Sequence, residues 1–244
     1  MTVVMKNQVD TIMTVDLGIA AYVRVFDLQQ QIVAAKIKDP ELPDIVLVLE
    51  HPPVFTLGKR GGKDNLVVSE PWLSSRGIEI VQTQRGGNIT YHGPGQLVMY
   101  PILDLNRSRT GVADFVNTLE ETMILACRQF KVPAIRNSLN HGIWVGSAKI
   151  GSIGLTIKKG ISFHGMALNV AMDLEPFSWI NPCGLRGVRM TSVARETGIA
   201  GSTLDSGLMS RIKQSILEHF AGLCQRSIAP ESSLEFINRF TLSV

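Results

Sequence analysis

Arg85-Gly86-Gly87-Asn88-Ile89-Thr90-Tyr91-His92-Gly93-Pro94-Gly95-Gln96 packs four glycines, a proline, an arginine and a histidine into twelve residues. Each glycine adds backbone entropy that folding must remove, so such a cluster marks a place where the chain turns tightly or approaches something closely. Strand-like runs flank it, Ile78-Glu-Ile-Val81 before and Leu97-Val-Met-Tyr-Pro-Ile-Leu-Asp-Leu105 after. The segment therefore reads as a ligand-facing loop held between strands of a mixed α/β scaffold. It is not a phosphate cradle of a known type. It lacks the lysine and hydroxyl of a Walker loop, does not match GxGxxG, and leads into a strand rather than a helix N-terminus.

Working outward, residues 20–36 place Val25, Phe26, Leu28, Ile32 and Val33 at helical spacing, and Pro40 with Pro43 closes that segment. Asp44-Ile-Val-Leu-Val-Leu-Glu50 follows as a continuous apolar run, the pattern of a strand covered on both faces. After the glycine-rich segment, residues 111–130 predict a helix with Val112, Phe115, Val116, Leu119, Met123 and Ala126 on its core face, ended by Pro133. Strands are predicted at 142–145, 150–157 and 163–170, and a late helix at 209–223. With no repeat, low-complexity tract or linker, the expectation is one α/β (α+β) domain over residues 1–244, with mixed sheets flanked by helices.

A chain of 244 residues is long enough for one core of full size, and its formal charge of +3 is too small to argue for nucleic acid. The first residues, MTVVMKNQVDTIMTVDLG, never form the apolar block of a secretory signal, and no run reaches membrane-spanning length. Three widely spaced cysteines, Cys127, Cys183 and Cys224, with no CxxC pair, argue against a disulfide framework or zinc site and for a reducing compartment. The expected location is the cytoplasm.

Cys183 lies in Asn181-Pro-Cys-Gly184, where proline and glycine fix a turn with little bulk around the sulfur. It reads either as a reachable thiol or as a small buried hydrophobe, and Cys127 and Cys224 fall in helical patterns as core residues. Lys149 opens Lys149-Ile-Gly-Ser-Ile-Gly154, either as a surface lysine at a strand start or as the cation that turns a thiol into a thiolate. His92 and His164 each precede glycine and read as acid/base groups or as turn histidines satisfied by backbone. No HxxxH or CxxC spacing supports a metal.

Together these segments resemble the lipoyl(octanoyl) transferases, also called lipoate-protein ligase B, within the biotin and lipoate ligase fold. The likeness runs through Val46-Leu-Val-Leu-Glu-His-Pro-Pro-Val-Phe-Thr-Leu-Gly58, residues 85–105, residues 149–154, His164-Gly-Met-Ala-Leu-Asn169 and the stretch from Asp173-Leu174 to Pro182-Cys-Gly184. It implies a biotin/lipoate protein ligase-like catalytic domain in which Cys183 takes up an octanoyl group as a thioester and Lys149 lowers its pKa. It also implies substrate contacts from Arg85, Gly86, Gly87, Asn88, Ile89, Thr90, Tyr91 and His92, from Ser152, Ile153 and Gly154, and from Gly165, Met166 and Ala167. Asn88, Ile89 and residues 137–146 depart from the family pattern, which leaves acyl-chain preference open.

The implied reaction moves octanoyl from acyl carrier protein to a lysine of lipoyl domains, in 2-oxoacid dehydrogenases or the glycine cleavage H protein. Thioester exchange is close to thermoneutral, so no ATP, metal or other cofactor is expected. A monomer without nucleic-acid or membrane partners is the corresponding expectation. The rivals are an ATP-dependent lipoate or biotin ligase on the same fold and a non-catalytic protein that binds acyl carrier or lipoyl domains.

Overall fold

A computed structural model of the chain describes residues 11–138, 140–181, 187–198 and 206–241. Within these the order begins with strand β1 (Thr11–Ile19), helix α1 (Tyr22–Lys38), β2 (Asp44–Glu50) and β3 (Val54–Leu57). A short helix α2 (Glu70–Ser74) leads to β4 (Glu79–Gln82), β5 (Ile89–His92) and β6 (Gln96–Ile102). Helix α3 (Val112–Gln129) precedes β7 (Ile135–Arg136), β8 (Gly142–Val145), β9 (Ala148–Lys158) and β10 (Ile161–Asn169). The last described elements are β11 (Arg189–Met190), α4 (Val193–Thr197), α5 (Ser206–Leu223), β12 (Ser227–Glu231) and α6 (Ser233–Thr241).

The main sheet runs β12-β1-β2-β6-β10-β9-β8-β7, with β11 added beside β9. Apolar side chains alternate between its two faces, and both faces are covered. On β2, Val46 and Val48 enter one core with α3 and α5 residues such as Phe115, Met123, Ile212 and Phe220. Ile45, Leu47 and Leu49 enter the other with Val25, Leu28 and Ile32 of α1 and Phe236 of α6. Strands β6 and β10 divide their side chains in the same way, which is why all three read as unbroken apolar runs. A separate sheet, β4-β3-β5, builds a third core around Phe55, Tyr91 and Phe177.

The three predicted helices are α1, α3 and α5 and the predicted strands are β2, β4, β6, β8, β9 and β10, whereas α2, α4, α6 and the remaining described strands lie where no element was predicted. The predicted helix at 209–223 begins earlier, at Ser206. The strand predicted to run to Leu105 ends at Ile102, because Asp104 turns the chain by accepting bonds from the backbone N–H groups of Asn106 and Arg107. The glycine-rich segment is not wholly a loop. Ile89–His92 forms β5, antiparallel to β3, with Ile89 and Tyr91 turned into the third core and Thr90 and His92 to the opposite face. On α3, Phe115, Leu119, Met123 and Ala126 are buried as expected. Val112 and Val116 instead border a cleft, Val112 being 52% exposed.

Candidate functional site

A cleft of about 940 Å³ opens between the β9–β10 ladder, the 85–92 segment, the N-terminal half of α3 and residues 136–138 and 140–141. Two segments singled out separately in the sequence prove to be one piece of antiparallel sheet. Ser152 pairs with Ala167, Ile153 with Met166 and Gly154 with Gly165. A Cβ on Gly165 would lie 2.2 Å from the Met99 carbonyl oxygen, so only glycine lets β10 sit this close to β6 there. The third segment docks on the same ladder: Gly86 N–H donates to the Leu155 carbonyl at 2.9 Å, and a Cβ on Gly154 would meet the Gly86 carbonyl oxygen at 3.1 Å.

Arg85, Gly86, Gly87, Asn88, Ile89, Thr90 and His92 all line the cleft. Tyr91 does not: like Ile89 it turns its side chain into the third core, where its ring lies 5.1 Å from that of Phe55. Arg85 is buried, with Nε donating to Thr56 Oγ1 at 3.0 Å and Nη1 to the Gly86 carbonyl at 3.0 Å. Its guanidinium thus ties the segment to β3.

Lys149 is not a surface lysine. It is 2% exposed, lines the cleft, and donates from Nζ to the His141 carbonyl at 2.8 Å, with Nζ 5.5 Å from the centre of the Trp144 ring. Strand β11 runs parallel to this part of β9, pairing Met190 with Lys149, and Thr191 N–H donates to the Lys149 carbonyl. The side chain is therefore fixed at both ends of its length. Cys183 lies outside the described residues.

Of the described cysteines, Cys127 is buried in α3 and Cys224 is half-buried just past α5. Burial pushes the Cys127 thiol up to about 12, and burial pushes Cys224 up to about 11. Neither is a thiolate near neutral pH.

His92 and His164 line the cleft beside Tyr22 and Tyr100. His51, which the sequence reading passed over as a site residue, stands behind them, its ring 5.7 Å from that of His92. His51 Nδ1 lies 2.6 Å from the Ala20 carbonyl, so it carries the proton, and Nε2 then accepts from the Tyr100 hydroxyl at 2.9 Å. Gln96 Nε2 donates to Asn169 Oδ1, which turns Gln96 Oε1 toward His92 Nδ1 at 2.7 Å and makes that nitrogen the protonated one. Burial pulls His51 down to about 4; burial, then the neighbouring His51, pulls His92 down to about 3. Burial and then the Arg85 charge bring His164 to about 3 as well.

All three rings are therefore neutral at pH 7. They are neither turn histidines nor ready proton donors. His164 is also unusual in two respects: its φ is 55, and neither ring nitrogen has a hydrogen-bond partner among the described residues. Its ring lies against Phe26 and Phe163. Among the described residues no three His, Cys, Asp or Glu side chains converge as a metal ion would require, and no helix is long and apolar enough to cross a membrane.

Missed by the sequence reading, besides His51, are Tyr22, Tyr100, Glu120 and Arg136, all of which line the cleft. Glu120 carried a signal: it falls beside Leu119 on the apolar face of α3, where a charge is out of pattern.

The model of the lipoyl protein ligase A/B catalytic domain matches residues 21–221. Among curated relatives, an octanoyltransferase of Desulfotalea psychrophila is 53% identical over 186 residues, spanning 75% of this chain and 83% of that protein. An octanoyltransferase of Xanthomonas campestris pv. campestris is 40% identical over 219 residues, 90% of this chain and 88% of its own. Among solved structures, a lipoate-protein ligase A bound with ATP superposes with a TM-score of 0.70 at 15% identity, covering 95% of this chain and 92% of that one. A bipartite lipoate protein ligase of Thermoplasma acidophilum, studied with its E2 lipoyl domain, has a TM-score of 0.70 at 15% identity, with 95% and 91% covered. At that identity the two structures speak for the fold.

Proposed function

The chain belongs to the lipoyl protein ligase A/B catalytic-domain family, and from that premise we propose that it is an octanoyltransferase of lipoate biosynthesis. Octanoyl-acyl carrier protein is the donor and a lipoyl-domain lysine the acceptor. The observation that carries the reading is convergence: a buried lysine, a glycine-lined wall and a paired β9–β10 floor meet in one cleft.

The Cys183 thiolate attacks the carbonyl carbon of the donor thioester. The tetrahedral oxyanion collapses, the carrier's sulfur leaves as a thiolate that takes its proton from the Lys149 ammonium, and the octanoyl group remains on Cys183. The acceptor amine then attacks the new thioester, the Cys183 thiolate departs, and an amide forms. Lys149 as ammonium stabilises the thiolate in the first half and as neutral amine takes the acceptor's proton in the second. Met190, whose Cα pairs with Lys149, is seven residues along the chain from Cys183. Ile153, Met166 and Ala167 supply apolar surface for the acyl chain, each buried methylene contributing about 0.8 kcal/mol.

Incubation with octanoyl-acyl carrier protein followed by intact mass should show one octanoyl adduct on the wild-type protein and none on Cys183→Ala. Subsequent transfer to a lipoyl domain should proceed without ATP. An adduct that persists in Cys183→Ala, or transfer that stops when ATP is omitted, would overturn the reading.

A further inference from the structure

We propose that Glu120 is a positioning residue for Lys149, acting through the peptide group that joins His141 to Gly142. The inference rests on the proposed role of Lys149. Glu120 projects from α3, is 4% exposed, and accepts from the Gly142 N–H through Oε1 at 2.8 Å. The carbonyl of that same peptide, on His141, accepts from Lys149 Nζ at 2.8 Å. The peptide is trans, so its N–H and C=O point in opposite directions and it bridges carboxylate and lysine. A carboxylate bound at the N–H end draws electron density toward the carbonyl oxygen, strengthening the acceptor that holds the ammonium.

Two further observations fit a built relay better than an incidental one. Gly142 has φ 114, and a Cβ there would lie 2.2 Å from the Gly151 carbonyl oxygen and 3.0 Å from Lys149 Cε. Only glycine permits the lysine to cross it. A buried carboxylate is also an expensive way to satisfy one N–H, which the oxygen of a glutamine would accept equally well. The charge is compensated only in part. Arg136, itself 43% exposed at its side chain, reaches Oε2 at 3.1 Å and shares its guanidinium with Glu121 at 2.8 Å, while His141 Nδ1 stands 3.4 Å from Oε1. Glu120 thus sets a fixed negative field behind Lys149 that favours its ammonium form in the first half of the reaction and holds its nitrogen on the His141 carbonyl.

The test is the pH profile of octanoyl adduct formation on Cys183 in the full-length protein. Glu120→Gln keeps the hydrogen bond to Gly142 and removes the charge. Its alkaline limb should move to lower pH by about half a unit or more. Arg136→Gln leaves Glu120 less compensated, and its alkaline limb should move to higher pH. Damage to the fold would move both variants the same way or lower only the amplitude. An unmoved alkaline limb in Glu120→Gln, with its thermal transition intact, overturns the proposal, as do shifts of both variants in one direction. Should Glu120→Gln not fold, Arg136→Gln decides alone: an upward shift supports the relay and an unmoved limb overturns it. Absence of any adduct on wild-type Cys183 would instead overturn the acyl-transfer reading beneath it.

Discussion

His164 holds a left-handed backbone conformation inside a strand, and its ring nitrogens face no hydrogen-bond partner among the described residues. Both features cost free energy, and such costs concentrate where a site needs a particular surface. In the folded protein the ring stays neutral down to about pH 3, whereas in the unfolded chain it takes up a proton below its ordinary 6.5. The unfolded state therefore binds more protons between these limits, and the contribution of the neutral ring, fully present above 6.5, is lost as pH falls toward 3. By pH 5 the loss is about 2 kcal/mol for one such histidine. His164→Asn keeps a residue type that tolerates the left-handed conformation and removes the titration. Its melting temperature should fall less between pH 7 and pH 5 than that of the wild type, and an equal fall would refute the account. At this scale the sequence was legible where local pattern carries the message, at the close approaches of Gly154 and Gly165, whereas the local pattern at Lys149 read equally as a surface lysine and only the family resemblance set it apart. His51 was not legible, because its role depends on Ala20 and Tyr100, which only the fold brings beside it.

Between elements, Asp44 is the strongest tie away from the cleft. It lies at the start of β2, fully buried, and gathers Lys36 from α1 at 2.8 Å, Arg107 from the turn after β6 at 3.1 Å and Arg226 from the approach to β12 at 2.5 Å. Burial alone would raise its pKa, but Lys36 and the hydrogen bonds from Asp104 and Arg226 outweigh burial and lower it. Lys36 is itself nearly inaccessible, so Asp44→Asn strands a buried ammonium. The expected cost is about 3–5 kcal/mol, read as a fall in the denaturant midpoint with unchanged slope. The two-faced pattern of β2 announced its place in the sheet, yet β1 mixes charge with apolar residues, and β3 and β5 are only four residues long. Strands that short lack enough alternation to stand out, and their pairing is settled by neighbours distant in the sequence.

Across the whole molecule, layering was readable because apolar runs on β2, β6 and β10 demand cover on both faces, and helices with one apolar stripe supply it. Strand order was not, since it depends on which distant segments meet. The most distant strand pairing among the described residues is β1 with β12: Thr11 and Ser227 are partners 216 residues apart, and Arg226 reaches Asp44 across 182. That pairing has a consequence for synthesis. While the ribosome is still working through the second half of the chain, β1 has β2 on one side and a bare edge on the other. The tie to Asp44 likewise waits for its last cation. Nascent chains stalled before residues 227–231 emerge should be cut by protease near β1, and released full-length chains should resist. Equal resistance in the stalled chains would show that the edge is guarded some other way, and until then the strand that begins the sheet is the last to be sealed into it.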